Sequence, residues 1–500
     1  MEWTFYEQAN MSTSSYIKTV NSASAKRGII LTALEGVLTG AQQVLVQSKW
    51  TLFQSFAKST VLGLLKNISR GHLIIDSLDE TFEFGQPHVL TIDGVSRELL
   101  ARIKVLDEGF WVRLFLAADL GFADAFMLEE ITVDNLGNVF KIFILNRKSI
   151  SEMSTVVSLF VRTLSYIANL RFSNGVSASQ SNISAHYDLS NDLFAGFLSR
   201  DMTYSCAIFD EEAKGSYGDL IEARPIAPPR THYSAPRSIP ADDLERGQLA
   251  KLRLVAERAR IQKGSRVLDV GCGWGSFAIL AAGTYGATVE AITISVEQKA
   301  AADENIRAAG LSHAINVYVM DYRNLPPSFY HAFDAVVSIG VMEHVGVEFM
   351  DEWFRKMAWA MKPEDSFKVF TVSTIPDTRW SSYVTEVDFI RKYIYPGAQL
   401  SSVKTLANAI TSAGLNIESI ENIGPHYART LREWGYRFEN NFETHIRPAL
   451  TKQYPDLSDA DIEIFRWKWI YYFAYCEAGF TMRSISDHVF TTTREANLRI

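Results

Sequence analysis

The sequence predicts an α/β protein: a doubly wound sheet, preceded by a smaller α+β region. Three observations carry that reading. Arg266 to Val270 reads as a buried strand that runs into the glycine turn Gly271-Cys-Gly-Trp-Gly275 and an apolar helix, Phe277 to Ala282. Downstream, strand-like and helix-like stretches alternate as far as Ser373, the pattern of a sheet built from β-α units. Upstream, His72 to Asn146 holds short alternating apolar runs bounded by Gly, Pro and Asp.

Taken in order, residues 1–27 are polar and Ser/Thr-rich and read as a disordered tail rather than a signal peptide. Residues 28–172 form an expected amino-terminal α+β lipid-interaction domain. Within it, Leu31 to Lys66 reads as two helices, with an apolar face through Leu52, Phe56, Val61 and Leu65 and lysines beside it. Four strands follow: His72–Asp76, Thr81–Phe84, His88–Ile92 and Ala101–Leu106. Phe110 to Leu114, and on through Leu145, reads as more sheet, with one helical insertion near Asp119–Leu128. Val156 to Leu170 is a helix and 173–185 a Ser/Asn/Gly linker.

Residues 186–500 form the expected catalytic domain. Ser184 to Asp210 reads as two helical patches ending in a polar, thiol-bearing loop. Residues 213–240, with five prolines, read as an extended or mobile insertion. Asp243 to Arg260 is an amphipathic helix. Strands at 266–270, 288–294, 315–320, 333–338 and 367–373 alternate with helices at 296–309 and 349–361. Beyond Asp377 the chain is aromatic and helical. Eight aromatics between Phe465 and Phe480 suit either a packed terminal helix or the wall of an apolar tunnel for a long substrate.

Composition narrows the function. Lys+Arg 49 against Asp+Glu 57 gives a net charge of −8, which argues against nucleic acid. Three widely spaced cysteines, Cys206, Cys272 and Cys476, make neither a disulfide framework nor a metal site, so a reducing, cytoplasmic setting is expected. No run of about 18 charge-free apolar residues suggests a membrane span. The glycine turn suits a nucleotide-like cofactor at the carboxyl edge of a parallel sheet. Its Gly-x-Gly-x-Gly spacing is not the Gly-x-Gly-x-x-Gly of dinucleotide folds, which disfavours NAD.

Asp269-x-Gly-x-Gly-x-Gly resembles the first motif of class I, Rossmann-like S-adenosylmethionine (SAM) methyltransferases. Further segments make the resemblance specific: His186-Tyr-Asp-Leu-Ser-Asn-Asp192, Met202-Thr-Tyr-Ser-Cys206, Thr293-Ile-Ser-Val-Glu-Gln298, Asp321-Tyr-Arg323, Glu343-His-Val-Gly346, Phe389 to Gly397, and Cys476-Glu-Ala-Gly-Phe480. Together they resemble the cyclopropane-fatty-acyl-phospholipid synthase family, in a eukaryotic-like form. Phe110-Trp-Val-Arg-Leu and Leu120-Gly-Phe-Ala-Asp-Ala-Phe-Met also look like that family's amino-terminal domain.

The resemblance implies transfer of a methylene from SAM to the double bond of an unsaturated phospholipid acyl chain. It implies Tyr204 and Ser205 against SAM, Asp269, Gly271, Gly273 and Gly275 at its amino-acid end and approach, and Thr293, Ser295 and Gln298 near the ribose. Asp321 and Tyr322 would flank the adenine. A bicarbonate ion would lie by Cys206, Glu343 and Tyr427, with His344 beside it. Ser373 stands where many bacterial members carry a histidine, and Cys476 matches a family active-site cysteine. The implied partners are phospholipid acyl chains and a bilayer surface, with a homodimer as one assembly consistent with the sequence; no metal is implied. Two alternatives stay open. A methyl-branched lipid is one, because Gly424-Pro-His-Tyr and Cys476-Glu-Ala-Gly-Phe also resemble sphingolipid C9-methyltransferases. A small-molecule methyltransferase is the other.

Overall fold

The computed structural model describes residues 51–78, 80–92, 95–151, 190–222, 229 and 242–497. The expected tail, the helix at 156–170, the linker, His186 and Asp188 lie outside them, as does most of the Pro-rich insertion. The chain divides into compact units at 1–60 and 61–500. Helix α1 (Thr51–Leu65) is followed by β1 (Gly71–Ser77), β2 (Glu80–Gln86), β3 (Val89–Ile92), β4 (Val95–Glu98) and β5 (Leu100–Val105). Helix α2 (Gly109–Met127), β6 (Ile131–Val133) and α3 (Leu136–Ser151) complete this region. A four-stranded sheet has the order β2-β1-β5-β6, and β3 and β4 form a hairpin.

Two stretches depart from the expectation. Phe110 to Leu114 and Leu136 to Leu145 are helical, in α2 and α3, not strands. Aromatic and β-branched residues there favour strands locally, but Phe110, Trp111, Val139 and Ile142 are buried in a shared apolar core, and packing overrides propensity. Helix α2 is kinked at Ala118, whose φ of 46° lies outside the helical region. In the same helix Gly121 lets the backbone come close: a Cβ there would sit 2.1 Å from the Arg113 carbonyl oxygen.

The remaining chain builds the large sheet. After α4 (Asn191–Ala195) and α5 (Asp243–Arg258) come β7 (Arg266–Val270), α6 (Ser276–Tyr285), β8 (Thr288–Thr293), α7 (Val296–Ala308), β9 (Ile315–Val319) and β10 (Ala335–Ile339). Then follow α8 (Met350–Ala360), β11 (Phe367–Thr374), α9 (Val403–Ser412), β12 (Leu415–Asn422), α10 (Gly424–Asn441), α11 (Asp459–Thr481) and β13 (Ser486–Arg494). The order is β12-β13-β11-β10-β7-β8-β9. Strands β7 to β11 are parallel, and β13 inserts antiparallel between β11 and β12. The doubly wound sheet is therefore the one expected.

Strands β12 and β13 were not expected in a region that reads as helical. Leu415 to Asn422 alternates buried and exposed positions. Thr491, Thr492 and Thr493 are β-branched residues buried on β13. The run at Phe389–Tyr395 is a short π-helix, Ile390–Ile394.

Strand β7 is flanked by β8 on one side and β10 on the other, so the chain reverses its direction of winding there. Loops at the carboxyl ends of β7 and β10 diverge and open a crevice, where ligands of such sheets bind. One apolar core covers one face of the sheet under α5, α6 and α7, and a second covers the other face under α8 and α9. A third and largest core joins α2 and α3 to α10 and α11.

The start of the expected mobile insertion is folded. Gly215–Tyr217 and Gly218–Ile221 are short helical turns. Arg429 on α10, fully buried, donates through Nη1 to the carbonyls of Ala213 (2.6 Å) and Gly215 (2.7 Å) and through Nη2 to Asp243 (2.7 Å). Its guanidinium also lies 4.1 Å from the Phe209 ring centre. Removing one partner of a buried pair leaves the other charge uncompensated, at a cost of about 3–5 kcal/mol. Arg429→Ala should therefore lower stability by about 3 kcal/mol, seen as a lower urea midpoint. An unchanged midpoint would show that the pair contributes nothing net.

Candidate active site

At the end of β7 the chain turns through Gly271, Cys272 and Gly273 and enters α6. These residues floor a cavity of ≈ 170 Å³. Gly273 has a φ of 54°, and a Cβ built there meets nothing within 4 Å. The open space beside it is cavity, so any larger side chain would project into the ligand's volume. Gly275 does not line the cavity. Its φ is 89°, and a Cβ there would press on Ala302 of α7 at 3.4 Å, so its task is packing α6 against α7.

The expected cofactor residues divide in the same way. Tyr204, Ser205, Asp269, Gly271, Gly273, Thr293, Gln298, Asp321 and Tyr322 all line this cavity; Ser295 does not. Ser295 caps α7, its hydroxyl accepting from the Gln298 N–H. Thr293 donates to Gln298 Oε1 at 2.7 Å, which turns the amide NH₂ away from that contact and fixes the side chain. Asp321 accepts a forked contact from Arg323, and this pairing holds its carboxyl below the usual range against the opposing effect of burial.

Asp269 is 2 % exposed, and its Oδ2 has no hydrogen-bond partner among the described residues. Burial pushes its pKa up to about 7, with the Lys251 ammonium pulling the other way. Lys251 is itself fully buried on α5 and donates to Ser205 Oγ at 2.7 Å, while Gln248 Nε2 donates to the Ser205 carbonyl at 2.7 Å. Burial lowers Lys251 to about 8. On an amphipathic helix a lysine reads as solvent-facing, so sequence reasoning misses it. The Met202–Cys206 loop is tied to the glycine turn, since Ser276 Oγ donates to the Asp201 carbonyl and Trp274 Nε1 to Asn191.

A second, mostly apolar cavity of ≈ 670 Å³ shares Tyr204, Gly340 and His344 with the first. Leu64, Leu114, Phe122, Phe143, Tyr471 and Tyr475 are among its walls. Glu343, Ser373, Tyr427 and Cys476 also line it. At the seam the hydroxyls of Tyr204 and Tyr395 lie 2.6 Å apart, with Tyr472 3.3 Å from the first and 3.2 Å from the second. Tyr395 and Tyr472 were not singled out from the sequence, although both fall in its aromatic runs.

Glu343 accepts from the Ser373 N–H at 2.6 Å through Oε1. Its Oε2 is buried without a hydrogen-bond partner among the described residues. Burial raises its pKa. Asp487 pairs with Ser373 across β11 and β13. Burial first, then the Glu343 charge, raises it well above the carboxylate range. His344 is pulled down to about 4 by burial, so its ring is neutral. The Tyr427 ring stacks on Phe480 with centres 4.5 Å apart.

Cys206 departs from expectation. It is 1 % exposed, lines neither cavity, and donates its thiol to the Ala207 and Ile423 carbonyls at 3.3 and 3.6 Å. Burial raises its pKa well above normal, so the side chain is a small neutral core group. Cys476 lines the apolar cavity as a neutral thiol, also raised by burial.

The orphaned Asp269 oxygen and the open space at Gly273 fit the SAM expected from the sequence. A cationic ligand favours the Asp269 carboxylate and lowers its pKa. Below about pH 7 the free protein holds that proton, so SAM binding should release it, and affinity should rise as pH rises toward 7. Calorimetry at pH 6 in buffers of different ionisation enthalpy should show proton release that disappears in Asp269→Asn. No release in the native protein would remove Asp269 from the ligand's surroundings.

Comparison with known proteins agrees with this geometry. The chain is 30 % identical over 405 residues to the cyclopropane-fatty-acyl-phospholipid synthase of Escherichia coli, covering 80 % of this chain and 90 % of that one. It is 34 % identical over 315 residues to the tuberculostearic acid methyltransferase UfaA1 of Mycobacterium tuberculosis, covering 63 % of this chain and 65 % of that enzyme, just under two-thirds of its length. Among solved structures, the fold is similar to the mycolic acid cyclopropane synthase CmaA1 complexed with SAH and CTAB, with a TM-score of 0.50, 23 % identity and coverage of 63 % and 97 %. Coclaurine N-methyltransferase bound to N-methylheliamine and SAH gives a TM-score of 0.53 at 16 % identity, covering 76 % and 100 %. The fold is that of class I SAM methyltransferases. The family model for mycolic acid cyclopropane synthetase matches residues 176–490, well over half of the chain. With a glycine-floored cofactor cavity sharing wall residues with an apolar one, the chain belongs to the mycolic acid cyclopropane synthetase family and is a SAM-dependent methyltransferase.

Proposed function

We propose that the protein is a cyclopropane-fatty-acyl-phospholipid synthase, adding a methylene from SAM across the double bond of an unsaturated phospholipid acyl chain. The observation that carries this reading is the junction of the two cavities at Tyr204, Gly340 and His344. A cofactor site holding the buried carboxyl of Asp269 there adjoins an apolar volume suited to an acyl chain. The E. coli phospholipid synthase, matched over 90 % of its length, supports the same substrate class.

Bound SAM supplies an electrophilic methyl carbon, to which an alkene π pair can bond as the C–S bond breaks. The chain's own residues must then manage a carbocation. Tyr204, Tyr395 and Tyr472 line the seam, and an aromatic ring whose face meets the cation contributes about 2 kcal/mol of cation–π attraction when desolvated. The apolar walls keep water from quenching the cation. Ring closure needs a proton taken from the new methyl group, whose C–H pair then forms the third side of the ring.

A bicarbonate ion would supply the proton acceptor. The unpartnered Glu343 Oε2 is the observation that fits such a group, with Ser373 and Tyr427 lining the same space. Ser373 donates without carrying charge, and charge-assisted bonds are roughly twice as strong as neutral ones. The ion is therefore held more weakly than a protonated histidine at that position would hold it. Cys476 lies in the acyl cavity and Cys206 does not, so the Cys206 thiol contributes packing rather than a contact to the ion.

Among the described residues no helix is long and apolar enough to cross a membrane, so access to lipid substrates is proposed to come by peripheral contact with the bilayer. Dimerisation remains a proposal of the same kind. A methyl-branched product is the second reading, favoured by the 34 % identity to a tuberculostearic acid methyltransferase.

Incubation with SAM and unsaturated phospholipid should yield the lipid plus one CH₂ with no reductant. Turnover should fall in carbon-dioxide-depleted buffer and return with added bicarbonate. Glu343→Gln should lose turnover by about a hundredfold, the lower part of the range for proton-transfer groups, with SAM affinity nearly unchanged. Bicarbonate-independent turnover to a methyl-branched chain would transfer the assignment to the second reading.

A further inference from the structure

Two arginines from distant parts of the chain line the apolar cavity: Arg147, near the end of α3, and Arg379, in the short helix Asp377–Tyr383. Arg147 is solvent-exposed, whereas Tyr471 and Tyr472 in the same wall are 1 % and 4 % exposed. The arginine therefore marks the outer end of the cavity, and the seam with the cofactor site marks the inner one. Arg147 makes no ion pair among the described residues. Arg379 spends one N–H, donating through Nη1 to the Ser484 carbonyl at 2.8 Å, which anchors the side chain and leaves its remaining donors. Asp119 and Asp388 also line the cavity but form no ion pair with either arginine.

Two guanidinium groups close enough to repel are an unfavourable arrangement unless an anion sits between them. Burial first, then the facing Arg379 charge, makes the Arg147 guanidinium harder to keep charged. Planar forked donors match the oxygens of a phosphate. An apolar cavity ending in two such groups has the shape of an amphiphile site, with the tail inside and the headgroup at the rim.

We propose that Arg147 and Arg379 form a subsite for the phosphate headgroup of the lipid whose acyl chain fills the cavity. This rests on the reading that the cavity takes an acyl chain. The subsite selects an acyl chain carried on a phosphate ester over an uncharged lipid, and it fixes how far the chain's double bond can reach toward the seam.

Binding tests this without methyl transfer. Calorimetry on the full chain, below micellar concentrations, would compare dodecyl phosphate, dodecanol and inorganic phosphate. The native protein should bind dodecyl phosphate at least about tenfold more tightly than dodecanol, the scale of one charge-assisted hydrogen bond. Arg147→Gln, at an exposed position, should erase that preference while leaving dodecanol binding unchanged. Arg147→Lys should restore part of it. Equal affinity of the native protein for the two amphiphiles would overturn the proposal. So would an equal loss of both in Arg147→Gln, which would mean packing. Inorganic phosphate binding as tightly as dodecyl phosphate would make this a free-phosphate site and overturn the lipid assignment. If neither amphiphile binds, the acyl-cavity reading itself fails; if dodecanol alone binds, that reading stands and only the headgroup subsite falls.

Discussion

Water must be kept from the seam where the two cavities meet, and much of the architecture serves that constraint. A carbocation, the intermediate of the proposed reaction, is consumed by the first water that reaches it. The seam is lined by three tyrosines whose hydroxyls hydrogen-bond to one another, so their polar tips are satisfied without solvent. Tyr204 comes from the loop before the large sheet, Tyr395 from the π-helix region after β11, and Tyr472 from α11. Closing the seam thus requires α11 to dock, and α11 docks on α3, α10 and α2 through the largest apolar core. The amino-terminal helices thereby help shape the apolar cavity, to which Leu114, Phe122 and Phe143 contribute walls.

Behind the seam lies a charge arrangement that would be untenable in isolation. The buried ammonium of Lys251 feels the charges of Asp201, Cys206, Asp487 and Asp269. Burial drives the carboxyls toward their neutral forms and the ammonium toward its own. Asp269 and Lys251, brought to about 7 and about 8, thus exchange protons near neutral pH, and a cation bound beside Asp269 would redistribute them. Lys251 also fixes Ser205 in the cofactor wall, so one side chain joins the two halves of the site.

Much of this was legible in the sequence because it is local. The strand, glycine turn and helix at 266–282 follow one another without a break, and the β-α alternation after them repeats a period that survives folding. Glu343, Ser373 and Tyr427 were found by resemblance, and all three line one cavity. What was missed is what only the tertiary structure decides. Phe110 and Trp111 are strand-like residues on a helix because burial in the shared apolar core, against Phe122 and Phe82, outweighs local preference. Strand β12 alternates plainly, but it sits in a region whose aromatic runs suggested helix. Lys251 and Asp487 are separated by most of the catalytic region and meet only through the sheet. Cys206 matched a motif, yet its thiol points to the Ile423 carbonyl rather than to either cavity. Ser295 and Gly275 lie in cofactor-like runs but serve as a helix cap and a packing contact.

In the proposed reaction a methyl carbon is transferred to an alkene and then loses one of its own protons to close a ring. The most direct measurement uses SAM whose transferable methyl carries three deuteriums, with an unsaturated phospholipid as acceptor and mass spectrometry as readout. Ring closure leaves two deuteriums on the carbon added to the acyl chain, and a product that resists ozone because no double bond remains. Retention of all three deuteriums, or a product that ozone still cleaves, would contradict it.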